Sequence, residues 1–557
     1  MTKISLPAKH HAGDLTLLRQ EHNISLTEYN ALTIDEQLHL IHQARGKQKY
    51  DLLINAQQVE KLVPQLHPQE LYLTINELGA EYSTELLMLA TTEQLTTLLD
   101  LDCWDADNLS PVLSLYWLQL LLSTGEEKIC QLARQMEPEI LALFLKKHLT
   151  IIRGLEAYDD DDVENAKRLE GIYDIEYSSE DAAKTIGAIL KIWSDREQES
   201  YLLIMEMIRS EILPVLEEEV YQTRNNRLLD LGIIPALEAR EIYSYKDPET
   251  FNTGGKSDFH LEADILKNPA ALLTQAEPHN LLAEILASGI DHDLACELLF
   301  LANRKMSADN IDVAEADSVA ETFQSTYDTL NLALEFLAGT DLDRADTVFR
   351  NTYLLNLFQL GYSLIKKLQI RAKNISTGQI YPFLDYPELL FIDSLQLISL
   401  APAQKGADDK EDNLQPITSI KDLERVEQRL KQIELLQDLF ITKLPFNLPT
   451  IEAETEQYPS LSGIFLTAVA NQLLGKGFAP IPLSMTDLAL LKNETFSDNQ
   501  ISAAFRRDIQ ESMQQLAPDC DFFIQFCLDI WTQIFQELDE VTNESPYADS
   551  LLLAEKW

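Results

Sequence analysis

The chain has 557 residues, with 91 Asp plus Glu against 44 Lys plus Arg and a formal charge of −47. That length suggests roughly three to four domains of about 150 residues each, and 45% hydrophobic residues fill real cores, which excludes wholesale disorder. So negative a chain repels phosphate backbones and anionic lipid surfaces, and no sustained basic patch interrupts it. Nucleic-acid binding is therefore not expected, and cations and basic proteins are the favoured partners.

Glycine is scarce, 18 in 557, where average usage is ~7%, and roughly one residue in six is leucine. Few glycines leave few positive-φ turns, and leucine winds readily into helices. A mainly α-helical fold with minor β structure follows, multi-lobed at this length.

Residues 1–51 read as an N-terminal extension. Met1-Thr2-Lys3-Ile4-Ser5 leads into polar text with His10 and His11, not into an apolar run of signal-peptide length. The longest apolar run, Pro111 to Leu122, contains Ser114 and Gln119 and falls short of the ~20 residues that cross a bilayer. No membrane span is expected. Cys103, Cys130, Cys296, Cys520 and Cys527 are odd in number and dispersed, the usage of reduced core thiols in a cytoplasmic protein.

Residues 52–155 form a stacked-helix lobe, an irregular superhelix in expectation. A theme repeats there in which a Pro or Thr and then a Glu opens an apolar run: His67-Pro68-Gln69-Glu70-Leu71, Thr91-Thr92-Glu93-Gln94-Leu95 and Glu137-Pro138-Glu139-Ile140-Leu141, with a fainter copy at Glu277-Pro278. Pro in the first turn loses no hydrogen bond and Glu there favours the positive end of the helix dipole, so these are helix starts. Their offsets are irregular, which argues against a solenoid of fixed period.

Residues 156–181 make an acidic junction, with Asp159 to Asp162 and then Tyr173, Ile175 and Tyr177 alternating like a strand. A central helical domain spans 182–400, with a helix from Tyr201 to Gln222 that Pro214 should kink. A break at Asp247 to Asp258 carries Gly254-Gly255, and a long helix is expected from Asp343 to Lys373. Residues 401–416 read as a charged surface loop. The C-terminal helical region, 417–557, packs on the central domain in expectation. It carries an apolar stripe at Leu423, Val426, Leu430, Ile433, Leu436, Phe440 and Leu444, and a helix from Phe522 to Phe535 that is apolar nearly all round and must be buried.

Signals for chemistry are sparse. Gly255-Lys256-Ser257 suggests a phosphate loop, but position 250 is Thr250 where that motif needs Gly. Asp100, Asp102, Asp105 and Asp107 crowd a helix end and could hold a divalent cation weakly, yet Trp104 and Asp105 occupy positions where a calcium loop needs an oxygen ligand and a Gly. The residues otherwise form a solvated turn whose aspartates are expected to cap the next helix. His39 and His42 lie one turn apart, two ligands where zinc needs three or four. No cofactor is implied beyond that weak divalent cation, and no HExxH, GxSxG, CxxC or dinucleotide fingerprint appears. Arg224 and Arg227, one turn apart, either pair with Glu217, Glu218 or Glu241 in an internal network, or hold an anionic ligand with Glu241 and Tyr243 nearby.

Two stretches carry a resemblance. Glu70-Leu71-Tyr72-Leu73, Glu77-Leu78-Gly79, Leu98-Leu99-Asp100-Leu101-Asp102-Cys103-Trp104-Asp105 and Phe144-Leu145-Lys146-Lys147-His148, with Arg227-Leu228-Leu229-Asp230-Leu231-Gly232 and Glu241-Ile242-Tyr243-Ser244-Tyr245-Lys246-Asp247-Pro248, resemble a bacterial family known only as a domain of unknown function. The resemblance spans nearly the whole chain, implies a cytosolic bacterial protein and supplies no catalytic residues. Residues 52–152 are also similar, through leucine-and-acid patterning, to the helical cytoplasmic domain of bacterial magnesium transporters. This chain has no membrane part, which removes transport. The expected function is a non-enzymatic scaffold or regulatory interaction protein with an unknown protein partner; the alternative is a hydrolase or transferase using the acids around Arg224 and Arg227.

Overall fold

A computed structural model describes residues 3–5, 23–79, 83–153, 173–256, 280–397, 416–449, 459–497, 500–537 and 551–552. The Asp159 to Asp162 run and residues 401–415 of the expected charged loop lie outside these. Helix accounts for 73% of the structure, against ~30–35% in ordinary globular domains, so the fold is mainly α. The chain divides into two compact units, Met1–Gly361 and Tyr362–Trp557.

The first unit is a succession of short helices whose starts are set locally. Thr33 and Thr91 each close a capping box, with Glu36 and Gln94. His67, Ser110 and Ser179 each accept one backbone N–H of the helix that follows. Pro68, Pro111 and Pro138 sit in first turns, where no intrahelical donor is needed. Each helix buries one leucine-rich face, and the core runs through Leu71, Leu98, Leu121, Leu143, Trp117 and Trp193. In the helix Ala316–Ala338 the buried Thr322, Thr326 and Thr329 are accommodated by bonding back to carbonyls four residues earlier, as Thr326 does to Thr322.

Several local expectations change. Pro214 does not kink a continuous helix: the chain ends one helix at Ser210 and opens the next, Leu213–Leu229, with Pro214 in its first turn. The expected helix over 343–373 is two, Leu342–Asn351 and Leu354–Ser376, because Thr352 turns extended. Strand is more widespread than the single segment near Tyr177. Asp174–Tyr177 pairs antiparallel with Leu149–Arg153, and the described residues include three further two-stranded ribbons, among them Trp104–Asp105 with Asn108–Leu109. Two glycines are required by close approach. A Cβ on Gly361 would meet the Thr329 carbonyl oxygen at 2.2 Å, and one on Gly232, at φ +77°, would meet Phe300 Cα at 2.6 Å.

The second unit is built on the two apolar helices read from the sequence. Ile420–Asp438 buries Val426, Leu430, Ile433 and Leu436 and ends in a π turn, Leu439–Lys443, that buries Phe440. Asp521–Glu537 buries Phe523, Ile524, Cys527, Leu528, Trp531, Ile534 and Phe535. Between them Leu461–Leu473 is buried almost all round, and Phe465 stacks edge-on with Phe523 at 5.6 Å. All five cysteines are buried and unbridged, and no described helix is long and apolar enough to cross a membrane.

Candidate functional site

The three clearest helix starts of the sequence come together in space. Leu66 and Pro68, residues Thr91 to Gln94 with Thr96 and Thr97, and residues Gln135 to Glu137 line one open cleft of about 640 Å³, together with Arg227, Asp230 and Leu231. The starts are tied to one another. Gln94 donates from Nε2 to the carbonyls of Val63 and Leu66, at 2.9 and 2.8 Å, and Thr92 Oγ1 donates to Gln135 Oε1 at 2.8 Å. Glu137 occupies the cap position of Pro138–Lys146 without making a side-chain cap bond, because its carboxylate turns to Arg227.

Arg227 is the pivot of the cleft. Its Nε and Nη2 donate to Asp100 Oδ2 and Oδ1 at 2.7 and 3.0 Å, and Nη1 donates to both oxygens of Glu137 at 3.1 and 2.9 Å. Arg224 donates from Nε to the Asp100 carbonyl at 2.8 Å and lies 5.3 Å from the centre of the Trp104 ring. Burial lifts the Asp100 pKa above its ordinary value, with Arg227 pulling against it. For Arg227, burial disfavours the charge, but the Asp100 and Glu137 carboxylates outweigh it and raise its pKa.

Two candidate regions of the sequence thus converge: the aspartate cluster and the arginine pair meet at Asp100. Arg227 pairs with Asp100 and Glu137 rather than with Glu217, Glu218 or Glu241. Glu217 instead holds Lys147, at 2.5 Å, and the Leu109 N–H. Asp102 accepts from Trp117 Nε1 at 2.6 Å and from the Tyr72 hydroxyl at 2.7 Å, while Asp105 is exposed. The aspartates do not cap the next helix; Ser110 does. Their carboxylates do not converge on a common point, and among the described residues no group of three or more His, Cys, Asp or Glu is placed to hold a metal ion.

Glu241 and Tyr243 sit elsewhere in the same unit. Glu241 accepts from Arg304 at 2.9 Å and the Tyr243 hydroxyl donates to Asp309 at 2.6 Å, where the fully buried Lys305 also binds Asp309. Lys256 of the glycine-lysine triplet is paired with Glu297. His39 is exposed beside Gln43, whereas His42 is buried against Glu70, so the two do not share ligands.

A second charged cluster escaped sequence reading. Glu70, itself at a helix start, is 1% exposed and accepts from Lys49 Nζ at 2.6 Å, with His42 Nδ1 at 3.1 Å on the same oxygen. Burial pushes the Glu70 pKa up, but the Lys49 charge and the hydrogen bonds from His42 and Lys49 overcome it and hold it at about 2. Beside it His67 is fully buried and driven down to about 4 by desolvation. Lys49 stands in the polar text Gly46-Lys47-Gln48-Lys49, and nothing in spacing singles it out.

The fold and cleft define a mainly α-helical protein with an open, threonine-rich and acidic groove built from helix starts. The chain belongs to the family of unknown function DUF6178, whose model matches residues 26–554. No curated protein and no solved structure matches it.

Proposed function

We propose that the protein is a non-enzymatic interaction protein, a scaffold or regulatory adaptor, and that the cleft at Arg227 is where its protein partner docks. The observation that carries this reading is the convergence of three helix starts on one open groove, of a size that accommodates ligands, ~300–1,000 Å³. The commitments of Arg224 and Arg227 to Asp100 and Glu137 support it over the hydrolase or transferase alternative, which needs those guanidinium groups for a substrate. Placement in the cytoplasm accords with five unbridged cysteines.

Affinity capture from the native host tests it, comparing the wild type with Thr97→Trp, which fills the groove from a half-buried position. Partners captured by the wild type and lost by the variant, at unchanged melting temperature, are the expected result. An identical set of captured proteins from both would refute docking in this cleft.

A further inference from the structure

We infer that the cleft accepts the arginine or lysine side chains of a basic, extended protein segment. This rests on the docking reading above and names the partner's chemistry.

The first ground is the balance of donors and acceptors. The threonine hydroxyl protons are turned into the protein: Thr92 donates to Gln135, Thr96 to the Thr92 carbonyl at 2.9 Å and Thr97 to the Glu93 carbonyl at 3.1 Å. Thr92 and Thr96 are buried, and the half-buried Thr97 keeps its lone pairs for a ligand. Arg227, the single cation in the described lining, has its fork engaged by Asp100 and Glu137. What the groove offers is therefore mostly acceptors, and a donor-rich ligand completes it.

The second ground is charge. Three helix N-termini face the cleft, each of about +0.5 charge at most, or about +1.5 together. Against them stand the exposed carboxylates of Glu93, Glu137 and Asp230, while Arg227 and Asp100 cancel. The carboxylates win by a margin of about one and a half charges, and the net charge of −47 adds a field of the same sign. An anion is repelled. Leu66, Pro68, Met136 and Leu231 add an apolar wall on which the aliphatic stem of a Lys or Arg can lie.

Fluorescence anisotropy with a labelled peptide of alternating Arg and Ala tests the assignment, alongside a Glu/Ala peptide of equal length and spermidine as competitor. The full chain should bind the Arg peptide and not the Glu peptide. Glu93→Gln/Asp230→Asn should weaken binding roughly three- to thirtyfold, as expected for losing two exposed ion contacts. The control Glu218→Gln/Glu219→Gln, which removes the same charge from exposed positions outside the cleft lining, should leave it within about twofold. Equal weakening by both pairs would reduce the effect to overall charge and overturn the assignment, as would tighter binding of spermidine than of the peptide. If the Arg peptide does not bind while Glu93→Lys still abolishes capture of a host partner, docking stands and the basic-segment assignment falls. If the Arg peptide binds with the expected dependence but captured proteins are unaffected by Glu93→Lys, the cleft is a cation site and the docking reading falls.

Discussion

Two buried carboxylates, one in each unit, have opposite fates. Glu70 in the first unit is held ionised at about 2 by Lys49 and His42. Asp385 in the second is 8% exposed and meets no cation among the described residues: its oxygens accept from the Ser462 hydroxyl and, at 3.2 Å, from the Ser462 N–H at the start of Leu461–Leu473. Burial dominates there and lifts its pKa to about 6, with the serine hydrogen bonds opposing. Two buried carboxylates thus shift in opposite directions, and the partner's charge decides the sign. Neutral donors serve other acids too: Tyr72 and Trp117 donate to Asp102, and Tyr173 and Tyr243 add to the cations that hold Glu206 and Asp309.

The comparison breaks most visibly at Lys49. Lys49→Met leaves Glu70 buried against His42 alone, and the first unit should lose about 3–5 kcal/mol. Pairing it with Glu70→Leu should restore a large part, since exchanging both charges for apolar groups removes the desolvation cost. Urea titrations of the two variants check this, and equal loss in both would mean that the ion pair itself stabilises the fold.

Arg227→Ala comes next. It strands Asp100, whose side chain is 4% exposed, and should cost about 3 kcal/mol, with Glu137 at 45% exposure contributing little. A melting temperature unchanged by the substitution would show Arg227 to be held for a ligand instead.

The pH dependences should run in opposite directions. Glu70, depressed to about 2, contributes stability present above the usual carboxylate value of ~4.3 and lost as pH falls towards 2. Asp385, raised to about 6, contributes stability that is full below ~3.9 and lost as pH rises through 6. Asp385→Asn should therefore gain on the wild type between pH 4 and pH 7, by roughly 2–3 kcal/mol at most. Fluorotryptophan signals from Trp531, against Trp117 and Trp193, assign each change to its own unit; a wild-type second unit with no slope between pH 4 and 7 would contradict the contrast.

The smallest effect is expected at the cleft rim. Thr91 accepts the Gln94 N–H at 3.1 Å, and Thr91→Ala should cost about 1 kcal/mol, read as faster amide exchange confined to the first turn of Thr92–Asp102.

How far the sequence reaches follows the range of the forces involved. Glycine scarcity and leucine abundance determined the helical class, and Pro and Thr before Glu determined where Pro68–Leu78, Thr92–Asp102 and Pro138–Lys146 begin, because caps, first-turn prolines and apolar periodicity act within a few residues. The stripe over 423–444 and the helix over 522–535 were readable for the same reason. Tertiary structure alone decided that Arg227 meets Asp100, 127 residues away in sequence, that Lys49 and His42 meet Glu70, and that three helix starts share one cleft. Charges pair through space and every surface acid looks alike in one dimension. Which carboxylate is buried, and what stands beside it, is set only when the helices pack.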